Sequence, residues 1–438
     1  MSPASASLYG SAAASLRRIQ ISGAISKVVG LIVESQGPPA SIGELCTVWD
    51  RERKAGEALV VGFRDRTTLL MSLTPLEKLR PGMEVRACGH SFRCKGGPQV
   101  LGRVLDGLGE PMDGKVALQG SFIPLQREPI NPLHRQRITA PLPTGIRALD
   151  GFRTLAKGQR MGIFAGSGVG KSVLMGMIAR HCKAEVNVIA LIGERGREVK
   201  EFLDKDLGAE GLARSVVVVA TSDQPAIVRI NAAFLATALA ESFRDEGKDV
   251  MLMMDSSTRI ALAQREIGLA AGEPPATRGY PPSVFGMLPR LFERSGMGEK
   301  GSITALYTVL VEGDDLDEPV SDAVRSILDG HIVLSRELAN KNHYPAIDVL
   351  KSISRCMADV VDQDHKKIQA KLLRSLAVYE ESADMIQLGA YAKGSNPELD
   401  KAIALQPRLE AFLRQDVDET SDFTQTKNLL KNLAGEEK

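Results

Sequence analysis

Ala165-Gly166-Ser167-Gly168-Val169-Gly170-Lys171-Ser172 stands between an apolar run, Met161-Gly162-Ile163-Phe164, and a helix-like segment, Val173-Leu174-Met175-Gly176-Met177-Ile178-Ala179. A glycine-rich turn from strand to helix aims backbone N–H groups inward, where they cradle phosphate oxygens. In this pattern Gly166, Ser167, Gly168, Val169 and Gly170 wrap the phosphates. Lys171 reaches the β- and γ-phosphates, and the Ser172 hydroxyl ligates Mg²⁺. The stretch predicts a nucleoside triphosphate site with Mg²⁺ as its cofactor. Ala165 occupies the place where the strict pattern has glycine, a tolerated variant.

Working outward, residues 186–192 form an apolar strand that ends in Gly193-Glu194-Arg195-Gly196-Arg197-Glu198. In open α/β sheets ligands sit at the carboxyl ends of strands. Glu194 is therefore expected near the γ-phosphate, where a carboxylate orients and polarises an attacking water. Taken alone, the charge cluster reads as a solvated face; its neighbourhood to the phosphate loop favours the catalytic reading. Residues 249–255 close an apolar strand on Asp255, a Walker-B-type arrangement that holds Mg²⁺ through its water shell. The competing reading of Asp255 is a cap for the next helix. Further buried-type strands fall at 215–221, 303–311 and 331–335, with helices at 172–182 and 223–246. Residues 90–361 thus read as a RecA-like P-loop α/β domain with a mainly parallel sheet covered by helices.

Before this domain, residues 23–89 show short β-branched runs (24–33, 46–48, 59–63, 68–73) broken by Gly and Pro, the pattern of a small β-barrel. The strand-like pattern continues over 86–105. Residues 105–114 are dense in turn formers. Pro124, Pro129, Pro132, Pro141 and Pro143 then mark an extended connector, counted with the central domain and lying on it. Residues 1–22 are Ala/Ser-rich but carry Leu8, Tyr9, Leu16 and Ile19. They read either as a flexible tail or as a short helix that docks on a partner or membrane surface. After 362 the strands stop. Ile368, Leu372, Leu376 and Tyr379 recur at helical spacing, as do Leu399, Ile403, Leu409, Phe412 and Leu413. Residues 362–438 form a C-terminal α-helical domain, with an acidic hinge at 416–422. No internal repeat is present.

The 438 residues carry a formal net charge of +1 and 4% aromatics. Neither favours a nucleic-acid or anionic-membrane surface. The five cysteines are odd in number, scattered and without CxxC spacing, and read as free thiols of a reducing compartment. The six histidines form no metal-ligand cluster. No apolar run approaches the length of a membrane span. Arg17 and Arg18 follow the N-terminal apolar residues, the reverse of a secretory signal. A cytoplasmic protein is expected.

AGSGVGKS, GERGREV, MLMMDSSTRIA, ATRGYPPSVFGMLPRLFERSG and HYPAIDVLKSISR together resemble the catalytic core of the rotary ATP synthase superfamily, over about Ile25 to Gln415. GERGREVKEF and YPAIDVLKSISR are most similar to its type III secretion branch, and LGAYAKGSNP at 388–397 to the flagellar members. The resemblance implies catalytic roles for Lys171, Glu194, Arg195 and Arg355. Glu194 matches the hydrolytic glutamate and Arg195 the arginine beside it. Tyr344 matches the aromatic residue that stacks on adenine, and Ser172 and Asp255 the metal-holding pair. Arg355, in Ser352-Ile353-Ser354-Arg355, matches an arginine finger that reaches into the neighbouring subunit. Such a finger contributes roughly 10³–10⁵ in rate.

One chain carries both Glu194 and Arg355, so six copies can close head-to-tail into a ring of equivalent sites. The loop 314–319 resembles an element near the ring interior and reads equally as a solvated acidic loop. The resemblance further implies an ATPase that energises flagellar protein export. Its partners would be a stator-like regulatory protein, a coiled-coil stalk, export substrates with their chaperones, and the export gate at the inner membrane, where the chain would associate peripherally. No nucleic acid is expected. Three alternatives stay open: an injectisome ATPase, a termination-type ring helicase and a non-catalytic ring subunit. Glu194 argues against the last, and low aromatic content against the helicase.

Overall fold

A computed structural model describes residues 21–311 and 318–435. The readings made for residues 1–20, and for 314–317 of the acidic loop, lie outside the described residues. The chain divides into two compact units, Met1–Phe92 and Arg93–Lys438.

In the first unit six antiparallel strands close into a barrel in the order β1-β2-β5-β4-β3-β6. They are β1 (Ser22–Val29), β2 (Ile32–Gln36), β3 (Glu44–Asp50), β4 (Arg53–Arg64), β5 (Thr67–Ser72) and β6 (Glu84–Ser91). Alternation sends Ile25, Val33, Val48, Val60, Leu70 and Val85 to a shared interior. The run 24–33 is two strands rather than one. Gly30, at φ 56°, turns the chain so that Val29 pairs with Ile32.

The second unit opens with β7 (Arg93–Lys95), which pairs with β9 (Phe122–Pro124) as a two-stranded ribbon. Its main sheet holds β8 (Arg103–Asp106), β10 (Arg160–Ala165), β11 (Val186–Ile192), β12 (Ser215–Ala220), β13 (Asp249–Asp255), β14 (Gly296–Met297), β15 (Ser302–Leu310), β16 (Gly330–Leu334) and β17 (Ile347–Ser354). The order is β17-β16-β10-β15-β13-β11-β12-β8, with β14 off this path beside β15. All pairs are parallel except β14 on β15 and β17 on β16. The central strands are apolar on both faces because helices cover both.

Two members differ from the sequence reading. β8 precedes the connector, yet it docks beside β12, with Val104 opposite Val217. β17 was not expected as a strand: Asp348 and Lys351 interrupt its apolar pattern, as suits a half-exposed edge. One helix, Ala226–Asp245, is long and apolar. It has the length and hydropathy of a membrane span but is mostly buried, packed on β11, β12 and β13.

The connector runs extended and is pinned to the unit by arginines. Arg294 donates to the Leu125 carbonyl at 2.7 Å, and Arg135 to the Ser295 carbonyl at 2.7 Å. Arg294 also makes a fully buried ion pair with Glu241 at 2.7 Å. The C-terminal helices Gln363–Glu381, Pro397–Leu413 and Phe423–Leu433 share one continuous core with the sheet, while the short helix Ala383–Gln387 buries none of its residues. Phe412 packs edge-on against Phe152 at 5.9 Å.

Candidate functional site

The carboxyl ends of β10, β11 and β13 open on one crevice. β10 runs into the loop Gly166–Gly170 and then the helix Lys171–His181. Gly168 (φ 78°) and Gly170 (φ 91°) take the left-handed backbone that a side chain opposes. Gly170 caps the helix with no side-chain hydrogen bond, so the first N–H groups are left for an anion. No atom lies within 4 Å of where a Gly168 Cβ would stand, so the cradle is open.

The Lys171 ammonium contacts the Asp255 carboxylate and lies 3.6 Å from Glu194 Oε1. Asp255 is buried at the end of β13, where Thr308 of β15 donates to its Oδ1 at 2.7 Å. Leu191 of β11 stands opposite Asp255 in register, which carries Glu194 to the same rim. Burial first, and then the negative charge of Asp255, push the Glu194 carboxyl up to about 7 against the pull of Lys171. A hydrogen bond with Glu194 holds Glu198 below its ordinary value.

Glu194 Oε1 is buried without a hydrogen-bond partner. Two carboxylates around a single ammonium leave uncompensated negative charge, so the site fits a hard divalent cation with oxygen ligands. Ser172 is exposed in the first helical turn and Asp255 is buried at the end of β13, the two oxygen donors expected of such a site. The competing cap reading does not apply to Asp255: the Ser256 side chain caps the helix Ser257–Ala271, accepting from Arg259 N at 3.3 Å.

Tyr344 follows the helix Arg336–Asn340, and its peptide bond to Pro345 is cis. Its ring lies 3.3 Å from the position a Gly170 Cβ would take, so it overhangs the end of the phosphate loop. A cavity of about 670 Å³ opens there, lined by Tyr344, Gly170, Val173, Met177, Arg414 and Gln415. That volume is ample for a purine base.

The remaining expected residues lie elsewhere. The Arg195 side chain is 79% exposed and turns to Glu198 at 3.6 Å. Arg355 is exposed just beyond β17. Its N–H donates to the Asp329 carbonyl at 3.0 Å and its guanidinium to the Leu328 carbonyl at 3.3 Å. Asp329 in turn donates to the Arg160 carbonyl at 2.8 Å, at the amino end of β10. The phosphate loop begins at the other end of that strand, about 17 Å away at the usual rise per residue.

The fold thus gathers Gly166–Ser172, Glu194, Asp255 and Tyr344, and keeps Arg355 apart from them. Two groups in the crevice were missed. Thr308 fixes Asp255. Arg259 presses its side-chain stem on Gly193, where a Cβ would meet Arg259 Cβ at 2.8 Å, and its Nε is buried and unpartnered. Arg259 stands one helical turn after Asp255 in a stretch already singled out, and that spacing was the available signal.

The chain has full-length relatives among known proteins. The chain matches the ATP synthase alpha/beta family, beta-barrel domain, over residues 25–89. It matches the nucleotide-binding domain of the same family over 145–354 and the T3SS EscN ATPase C-terminal domain over 361–432. A flagellum-specific ATP synthase of Bacillus subtilis is 53% identical, covering 95% of both chains. A type 3 secretion system ATPase of Xanthomonas euvesicatoria is 51% identical over 94% of this chain and 93% of its own. Among solved structures, the assembled ATPase EscN from the enteropathogenic E. coli type III secretion system superposes with a TM-score of 0.89 at 45% identity. The match covers 94% of this chain and all of that one. EscN in complex with its central stalk EscO gives a TM-score of 0.87 at 44% identity.

Proposed function

Because the chain belongs to the ATP synthase alpha/beta family, in its type III secretion branch, we propose an ATPase that energises flagellar protein export as a ring of six identical subunits. The observation that carries the ring reading is the separation within one chain of a nucleotide crevice holding Lys171, Glu194 and Asp255 from an exposed Arg355 at the opposite end of β10. A chain so built completes no site by itself. It lends Arg355 to one neighbour and receives the same residue from the other.

In the reaction the N–H groups of Gly166–Gly170 and the Lys171 ammonium hold the triphosphate in place. Glu194 accepts a hydrogen bond from a water and aims it in line at the γ-phosphorus. The neighbour's Arg355 balances charge that develops on the transferring phosphoryl group. Mg²⁺ supplies further charge neutralisation when bound, with Ser172 and Asp255 as its holders. Tyr344 stacks on the adenine. Arg195, turned to solvent in the single chain, serves at the subunit boundary.

Flagellar rather than injectisome service is supported by the stretch 388–397 and by the flagellar relative. The central-stalk complex of EscN supports a coiled-coil stalk as partner. A stator-like regulator, chaperoned substrates and peripheral attachment to the inner-membrane export gate complete the proposal.

Complementation tests the shared site. Arg355→Ala and Lys171→Ala chains are each expected to be inactive. Mixed, they restore partial ATP hydrolysis, because some interfaces pair an intact crevice with an intact arginine. Mixed rings that assemble yet stay inactive at every ratio would remove Arg355 from the trans role.

A further inference from the structure

A second cavity, of about 540 Å³, lies between β17 with the helix Arg336–Asn340 on one side and the helices Gln363–Glu381 and Pro397–Leu413 on the other. Leu338, Ile347, Leu376 and Leu413 give it an apolar lining. Five carboxylates stand around it (Glu337, Asp348, Glu380, Asp384 and Glu410) against two ammonium groups, Lys341 and Lys351. Three of the carboxylates are already engaged: Glu337 with Lys341 at 2.6 Å, Asp348 with Lys351 at 3.2 Å, and Glu410 with Arg414 at 2.5 Å. Glu380 and Asp384 are exposed and have no ion-pair partner among the described residues. His343 lines the same cavity at 5% exposure, and its Nε2 has no hydrogen-bond partner. A buried polar atom left open costs stability. What the cleft offers a partner is the two unpaired carboxylates beside an apolar wall.

We propose that this cleft binds a lysine- or arginine-rich segment of a partner protein. An aliphatic stem lies along Leu376 and Leu413, and the cationic head sits between Glu380 and Asp384. The sign of the charge decides against the other common partners, since lipid headgroups and nucleic acids present phosphate to a surface rich in carboxylates. The cleft is separate from the nucleotide cavity but borders it. His343 precedes Tyr344 directly, and Glu410, in the cleft, holds Arg414, which lines the nucleotide cavity.

The test titrates a fluorescein-labelled lysine–leucine nonapeptide onto the full chain at physiological ionic strength, followed by anisotropy. Saturable binding is expected, and the double variant Glu380→Gln/Asp384→Asn should weaken it about five- to tenfold. Both residues are exposed, so the variant folds. The control Glu201→Gln/Glu210→Gln removes two exposed carboxylates from helices outside the cleft and should leave the affinity unchanged. Equal affinity in the double variant and the wild type overturns the proposal. So does an equal loss in the control, or equally tight binding of a peptide with glutamate in place of lysine.

Discussion

At Glu194 burial and the charge of Asp255 act in the same direction, and the group is held near neutrality rather than far below it. In its proposed role as base, Glu194 acts in its ionised form, which alone can take a proton from water. The rate of ATP hydrolysis at low substrate should therefore rise with pH through about 7. Glu194→Gln should keep nucleotide binding, lose that limb, and turn over about 10²-fold slower or less. Phosphate release against pH, with fluorescent-nucleotide titration alongside, reads both; unchanged turnover would assign the water to another group. The sign for stability is the reverse. A carboxyl raised from 4.5 to about 7 in the folded chain favours folding when protonated, and that contribution is lost as pH rises through 7. Chelating Mg²⁺ should halt phosphate release, since Glu194 and Asp255 would then face the triphosphate with Lys171 alone between them. The phosphate loop was legible because its requirement is local: glycines where φ is positive and a lysine at the helix start. The approach of Arg259 to Gly193 was not, because Gly193 follows β11 and Arg259 lies in the helix after β13, and only the sheet brings the two together.

At the scale of elements, the pairing of β16 with β17 decides where Arg355 is displayed. A Cβ on Gly330 would stand 2.3 Å from the Ile353 carbonyl oxygen, so only glycine lets β17 close on β16 at that corner. Gly330→Ala must push the end of β17 outward. It should cost about 1–3 kcal/mol of stability and lower turnover while sparing nucleotide binding, as urea unfolding and ATPase assays would show. Full activity in a stable Gly330→Ala chain would mean that Arg355 does not depend on this corner. The buried pair Arg294–Glu241 makes a separate prediction. Glu241→Ala strands a guanidinium in the core and should cost about 3–5 kcal/mol, whereas Glu241→Leu combined with Arg294→Met should cost far less. Denaturant midpoints of the three chains separate loss of a partner from loss of volume. The long apolar strands β11, β12 and β13 were legible as parallel and buried. β8 and β17 were not: β8 is too short to carry a period of its own, and β17 alternates charge because one face meets solvent. The barrel was legible from its turn spacing, although Gly30 inside the run 24–33 was passed over.

For the whole molecule, the proposed role of Arg355 in the neighbour's site makes chemistry depend on assembly. About 17 Å of strand separates them, more than an arginine side chain spans, and both are fixed to one rigid sheet through Asp329 and β10. On that proposal a lone chain has a complete cradle and lacks the charge that acts on the transition state. Binding should survive dilution and turnover should not. ATP hydrolysis per chain is expected to climb steeply as protein concentration crosses the assembly threshold, by at least the roughly 10³-fold that a finger contributes where contact is complete. Nucleotide affinity should shift far less over the same range, because Lys171, the loop and Tyr344 all belong to one chain. Arg355→Ala rings should assemble at the same concentration and show no such climb. Mass photometry and phosphate release on the same dilution series make the comparison. Equal activity per chain on both sides of the threshold would mean that each crevice is sufficient alone, and the exposed arginine would then need another purpose.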